Sequence, residues 1–122
     1  MEPHIHHFDP EREYFFDEGC FINELANSAQ DGAVSVAQAR VEAGGTTRWH
    51  RLRDTTERYV ILSGTGCVEV GDLPPQTVSA GDCVVIPPLC RQRISNTGDS
   101  DLVFLAICSP RFRQNNYEDL EA

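Results

Sequence analysis

Between Gly44 and Asp99 the chain is broken every few residues by turn formers, and no segment between the breaks carries a 3.6-residue apolar period. That rhythm leaves little except short strands. Residues 19–26 and 34–42 can alternate, with Asn27–Gly32 as the turn between them. Gly44-Gly45 breaks the chain, and 46–52 and 57–63 follow, separated by a polar loop, Arg53–Thr56. Gly64-Thr65-Gly66 reads as a hairpin turn. Further strands are expected at 67–70, 76–79, 83–86, 91–95 and 102–108, with turns at Gly71–Pro75, Ala80-Gly81-Asp82, Pro87-Pro88 and Asn96–Asp99. Evenly spaced strands with Gly/Pro turns predict an all-β sandwich or barrel. Residues 114–122 are expected to form one helical turn or a frayed tail.

At 122 residues the chain makes one domain with one core. Its net charge of −9, carried against arginines alone with no lysine, argues against nucleic acid and against anionic membranes as partners. No apolar run approaches the roughly 20 residues of a membrane span. The opening MEPHIHHFDP lacks the apolar core of a secretory signal, and its three histidines, interrupted by Ile5, read as a solvated arm or edge strand before a metal site. Five cysteines form no CxxC pair, so free thiols in a reducing cytoplasm are expected. Cys67, Cys83 and Cys108 lie in apolar runs and read as small core residues. Acids crowd both ends, Glu18 and Glu118 among them, while arginines crowd the middle. Surface ion pairing is the expected fate of most of those arginines.

The turn residues and polar residues keep a spacing of their own. Gly44 is followed six residues later by His50, Glu57 comes seven after that, and Gly64 seven later again. Gly81 is followed six residues later by Pro87, then by Gln92 and Asn96. Residues two apart on a strand face the same side, so His50 with Leu52, Glu57 with Tyr59 and Ile61, and Gln92 with Ile94 can form an apolar floor beneath a polar cluster.

These two segments, GGTTRWHRLRDTTERYVILSG and GDCVVIPPLCRQRISN, resemble the two motifs of the cupin family, G-x5-H-x-H-x3-4-E-x6-G and G-x5-P-x-G-x2-H-x3-N. The resemblance runs from Gly44 to Asn96. It implies an all-β double-stranded β-helix, or jelly-roll barrel, over residues 1–122. An N-terminal arm with its strands would occupy 1–32, the motifs 44–96, and a closing strand and tail 97–122. It further implies pairing as a homodimer through sheet edges, with the segment before Gly32 a candidate for exchange. In metal-binding members the ligands would fall at His50, Leu52, Glu57 and Gln92. Leucine cannot coordinate and glutamine offers only a neutral amide oxygen, so the motif is degenerate; Leu89 also stands where the second motif has glycine.

Three readings of the cluster follow. His50, Glu57 and Gln92 with waters can hold a divalent metal weakly, Zn, Ni, Fe or Mn by donor type, with no organic cofactor implied. Alternatively the site is metal-free and His50–Glu57 form an acid–base pair, in which the carboxylate would raise the histidine pKa. Or the cluster is a satisfied internal network. The expected function is a small-molecule-binding protein with its site at the barrel mouth. It would be a metal-dependent enzyme of dioxygenase or isomerase/lyase type acting on a small polar or carboxylate-bearing substrate, or else a non-catalytic, metal-free binding or sensing module. His50 and Glu57 are the catalytic candidates. Gln92, Tyr59, Cys90, Arg40 and Arg48 are the ligand-binding candidates, the arginines as holders of a carboxylate or phosphate.

Overall fold

The computed structural model describes all residues, 1–122. Eleven strands build two antiparallel sheets. They are β1 (Tyr14–Phe16), β2 (Cys20–Ala26), β3 (Ser35–Val41), β4 (His50–Leu52), β5 (Thr56–Ser63), β6 (Thr65–Val70), β7 (Gln76–Ser79), β8 (Cys83–Ile86), β9 (Gln92–Asn96), β10 (Leu102–Ser109) and β11 (Tyr117–Asp119). One sheet runs β1-β2-β3-β10-β5-β8 and the other β11-β4-β9-β6-β7. Apart from the β1-β2-β3 meander and the β6-β7 hairpin, every connection crosses from one sheet to the other. This is the jelly-roll that the motif spacing implies.

The crossings explain the turn residues. Gly64-Thr65-Gly66 does not close a hairpin, because β5 and β6 lie in different sheets. Gly64 instead turns a corner at φ +85°, packed so tightly that a Cβ there would sit 2.6 Å from the Asp101 carbonyl oxygen. Asn96 pins the β9–β10 crossing. Its Nδ2 donates to the carbonyls of Val41 (2.9 Å) and Ser100 (2.8 Å), and its Oδ1 accepts from the Gly98 amide.

Strand alternation then sorts the side chains. On β5, Glu57, Tyr59 and Ile61 point inward and their neighbours do not; β4 buries His50 and Leu52, and β9 buries Gln92, Ile94 and Asn96. Ile61, Ile86, Leu102 and Phe104 of one sheet meet Val68, Val70, Val78 and Ile94 of the other as the apolar floor. The cysteines depart from the expected pattern. Cys108 is buried, but Cys67 is half-buried and Cys83 exposed, because each falls out of phase with its strand's inward face; Cys20, at the start of β2, joins the core instead. All five are free thiols. The tail does not fray. A single 3-10 turn at Gln114–Asn116 leads into β11, which pairs with β4 in the register Tyr117↔Leu52, Glu118↔Arg51, Asp119↔His50.

Candidate functional site

Above the apolar floor the inner face of the first sheet opens into a cavity of about 50 Å³, enough for a few waters. Glu57 and Tyr59 of β5, Cys108 of β10, Cys20 of β2 and Glu18 line it. His50 and Gln92 stand one residue behind. They face each other in register on β4 and β9, and each touches a residue of the cavity wall. The His50 Nε2 lies 3.4 Å from Glu18 Oε1. The Tyr59 hydroxyl donates to Gln92 Oε1 at 2.5 Å. The structure therefore brings His50, Glu57, Gln92 and Tyr59 together, all buried.

Glu18 is the member the spacing does not reveal. It belongs to the tight β1–β2 turn Asp17-Glu18-Gly19, between the partnered residues Phe16 and Cys20. Gly19 takes φ +104° there, a conformation side chains disfavour, and its Cα passes so near the β3–β4 segment that a Cβ would meet the Thr46 carbonyl at 3.2 Å. The Arg48 amide donates to the Glu18 carbonyl at 2.8 Å. The turn is thus drawn inward and the glutamate with it. In the sequence Glu18 is one acid among many near the N-terminus; only the following glycine marks it.

Burial dominates the electrostatics. It pushes the Glu18 carboxyl up to about 8. It pushes Glu57 up to about 7, helped by the Glu18 charge and opposed by His50, Gln92 and the Cys108 thiol. His50 moves the other way from the expected one. Desolvation lowers its pKa and outweighs the Arg48 carbonyl and the carboxylates, which raise it. The tautomer follows from the partners. The His50 Nδ1 sits 2.7 Å from the Arg48 carbonyl oxygen, which can only accept, so Nδ1 carries the hydrogen and Nε2 presents its lone pair to Glu18. Tyr117 of β11 stacks on the imidazole with ring centroids 5.1 Å apart and holds its plane.

Four buried polar side-chain atoms lack partners, and two of them belong to the cluster: Glu57 Oε1, an acceptor on the cavity wall, and Gln92 Nε2, a donor behind it; the others are Arg111 Nε and the Tyr117 hydroxyl. Gln92 lowers the Glu57 pKa, so the two are close, yet neither Glu57 Oε1 nor Gln92 Nε2 makes a hydrogen bond of good geometry.

The donor set does not fit the metal expected at His50, Glu57 and Gln92. Leu52 brings only carbon, Gln92 Oε1 is already taken by Tyr59 and turns an N–H donor toward Glu57, and His50 Nε2 is engaged by Glu18. No three His, Cys, Asp or Glu side chains come together as a metal would need.

The remaining candidates lie elsewhere. Arg40 is outside the barrel, paired with Glu13 (2.6 Å) and Asp101 (3.3 Å). Arg48 is paired with Asp119 at 2.9 Å. Cys90 precedes β9, where the alternation has not yet begun, and packs behind Gly71. None of the three lines the cavity.

A model of the cupin domain matches residues 37–108, which carry both motifs and the strands that hold His50, Glu57 and Gln92. The chain belongs to the cupin family. This cupin is 31% identical over 116 residues to the uncharacterized protein MJ1618 of Methanocaldococcus jannaschii, an alignment covering 93% of this chain and 92% of that one. Among solved structures it is similar to an uncharacterized conserved protein with a double-stranded β-helix domain from Klebsiella pneumoniae (TM-score 0.74, 14% identity, 89% of this chain and 90% of that one). It is similar also to Streptomyces Pac13, a nucleoside dehydratase (TM-score 0.76, 17% identity, 93% of this chain and 89% of that one). At these identities the structural likeness concerns the fold.

Proposed function

We propose that this cupin binds a small polar molecule in the cavity and moves protons on it, as an isomerase or lyase, through side chains rather than a metal. One observation carries this reading: two carboxyls with raised pKa values, Glu18 and Glu57, line one small cavity, with a neutral imidazole set against the first. Carboxyls pushed apart in pKa near neutrality can act as acid and base at once. Glu57, the lower of the two and open at Oε1, is the base. Glu18, protonated at neutral pH, is the acid. His50 is a positioning residue: with no substrate bound its bare Nε2, 3.4 Å from Glu18 Oε1, accepts the Glu18 O–H, and a substrate hydroxyl takes over that proton on entering the cavity. In an elimination the C–H proton passes to Glu57, its electron pair forms the new double bond, the C–O bond breaks, and the Glu18 proton leaves with the hydroxyl as water. In an isomerisation the proton returns to a neighbouring carbon. That one structural neighbour is a nucleoside dehydratase agrees with the lyase form.

The test is solvent exchange. D-Glycerate, L-malate and a sugar acid are incubated with the protein in D2O and followed by proton NMR. Deuterium uptake or alkene formation, reduced 100-fold or more in Glu57→Gln and in Glu18→Gln, is the expected result. Saturable binding of these compounds without any exchange would make the site a binding module instead.

A further inference from the structure

The open end of the cavity is built as carefully as its wall. Tyr14, Glu24, Asn27 and Phe112 line both the cavity and an adjoining surface groove, so the two are continuous, and Arg111 and Arg113 line the groove. Asn27 ties the opening together across 85 residues of sequence: its Nδ2 donates to the Phe112 carbonyl at 3.0 Å, and its Oδ1 accepts from Arg111 Nη1 at 2.9 Å. The Phe112 amide donates to Ser35 Oγ at 2.8 Å, and the Arg111 amide to the Gly32 carbonyl.

Arg111 is held by one terminal nitrogen only. Its Nε is buried and has no partner. Nε and Nη2 form the side edge of the guanidinium, the fork that matches the two oxygens of a carboxylate. The charge count agrees. In a chain of net charge −9, the opening carries two arginines against Glu24, whose carboxylate already accepts from Asn27 at 3.4 Å. Every other arginine discussed above for an anion is spent on an acid. The reach is short as well. Cys108, the partner of Glu57 in register, precedes Arg111 by three residues, at most about 10 Å of chain.

We infer that Arg111 is a substrate-binding residue that seats the carboxylate of a small hydroxy acid whose hydroxylated carbons reach Glu57 and Glu18. The inference rests on the cavity being the ligand site, as proposed above, but not on the reaction proposed there.

Binding rather than turnover therefore tests it. The probes are D-glycerate, glycerol and acetate, titrated by NMR into full-length protein with the arginine side chains 15N-labelled. The Arg111 Nε–H signal should shift with glycerate, and glycerate should bind at least 10-fold more tightly than glycerol or acetate. Arg111→Gln should weaken glycerate at least 10-fold and leave glycerol unchanged. Arg111→Lys, which keeps the charge and loses the fork, should recover only part of the loss. If Arg111→Gln disturbs the Asn27 tie and unfolds, the wild-type Nε–H signal still decides. Glycerate binding that leaves this signal unmoved, or equal affinity for glycerate and glycerol, overturns the inference even where deuterium exchange occurs. Arg111-dependent binding without exchange upholds it and removes the proposed reaction instead.

Discussion

Glu18 and Glu57 line one cavity with His50 set behind Glu18, and the direction in which each pKa is displaced makes stability depend on pH with opposite signs for carboxyl and imidazole. Glu57 has a folded pKa of about 7, above the ordinary carboxylate value. Its contribution to stability is present in full below the unfolded pKa, near 4.5, and is lost as pH rises through about 7. Glu57→Gln removes that loss. Measured as paired thermal melts, the wild type should lose about 2–3 kcal/mol relative to this variant between pH 5 and pH 8.5, roughly 10 °C in Tm. His50 behaves oppositely. Its folded pKa is depressed, so its contribution is full above the unfolded value near 6.5 and is lost as pH falls through that value toward the folded one. The wild-type advantage over His50→Gln should accordingly grow from pH 5 to pH 7.5, and a shrinking advantage would mean that the imidazole is charged in the fold. His50 and Glu57 were legible because motif spacing fixes their strand and alternation fixes their face. Glu18 was not, because its burial comes from a glycine turn and an amide on a distant segment. The sign at His50 was not legible either: a sequence names the carboxylates near an imidazole but not how thoroughly water is excluded from it.

At the scale of elements, the corner glycines separate two costs that a sequence cannot tell apart. Gly64 and Gly81 both take positive φ, +85° and +94°. At Gly81 a Cβ would meet nothing within 4 Å, whereas at Gly64 it would meet backbone atoms of Asp101 and Leu102 at 2.6 and 2.9 Å. Gly81→Ala should cost about 1 kcal/mol from the left-handed conformation alone, and Gly64→Ala at least about 3 kcal/mol because backbone must move as well. Denaturant melts of the two variants would test this; equal costs would mean that the corner yields freely. Both glycines are visible in the sequence, and the turn expected at Ala80-Gly81-Asp82 is present, but the hairpin expected at Gly64-Thr65-Gly66 is a corner, since β5 and β6 lie in different sheets. Neither β1 nor β11 was foreseen. Both have three residues, and β11 mixes Tyr117 with acids that look solvated until they pair with Arg48 and Arg51. The site strands also bear on metal. Replacing Leu52 and Gln92 together by histidine adds two nitrogen donors where the family motifs place them, beside His50 and Glu57. Calorimetry should find zinc bound at least 100-fold more tightly by the folded double variant than by the wild type. Unchanged affinity would show that Leu52 does not face the cluster.

For the molecule as a whole, the decisive arrangement is that its C-terminal strand closes the wall behind its site. β4 meets β9 only at His50↔Gln92, so much of its anchorage comes from β11 on the other side. There Arg51 meets Glu118 and Arg48 meets Asp119, each at 2.9 Å, and the Leu120 amide donates to the Trp49 carbonyl at 2.9 Å. Tyr117 stacks on the imidazole itself, and Phe16 of β1 packs against Tyr117 with ring centroids 5.2 Å apart. Opposite ends of the chain thus meet to keep water from His50. Ending the chain at Asn116 should therefore let water reach that ring. Burial is the largest cause of its depressed pKa, so the value should climb toward the ordinary 6.5. Loss of Asp119, which raises the pKa, acts the other way but is the smaller effect. Nitrogen-15 NMR titration of the imidazole measures the shift directly. Should the shortened chain fail to fold, Tyr117→Ala in the full chain opens the same side of the ring and should move the pKa in the same direction. A folded variant in which His50 keeps its depressed pKa would mean that the two sheets alone exclude water there, and that β11 contributes only to the edge.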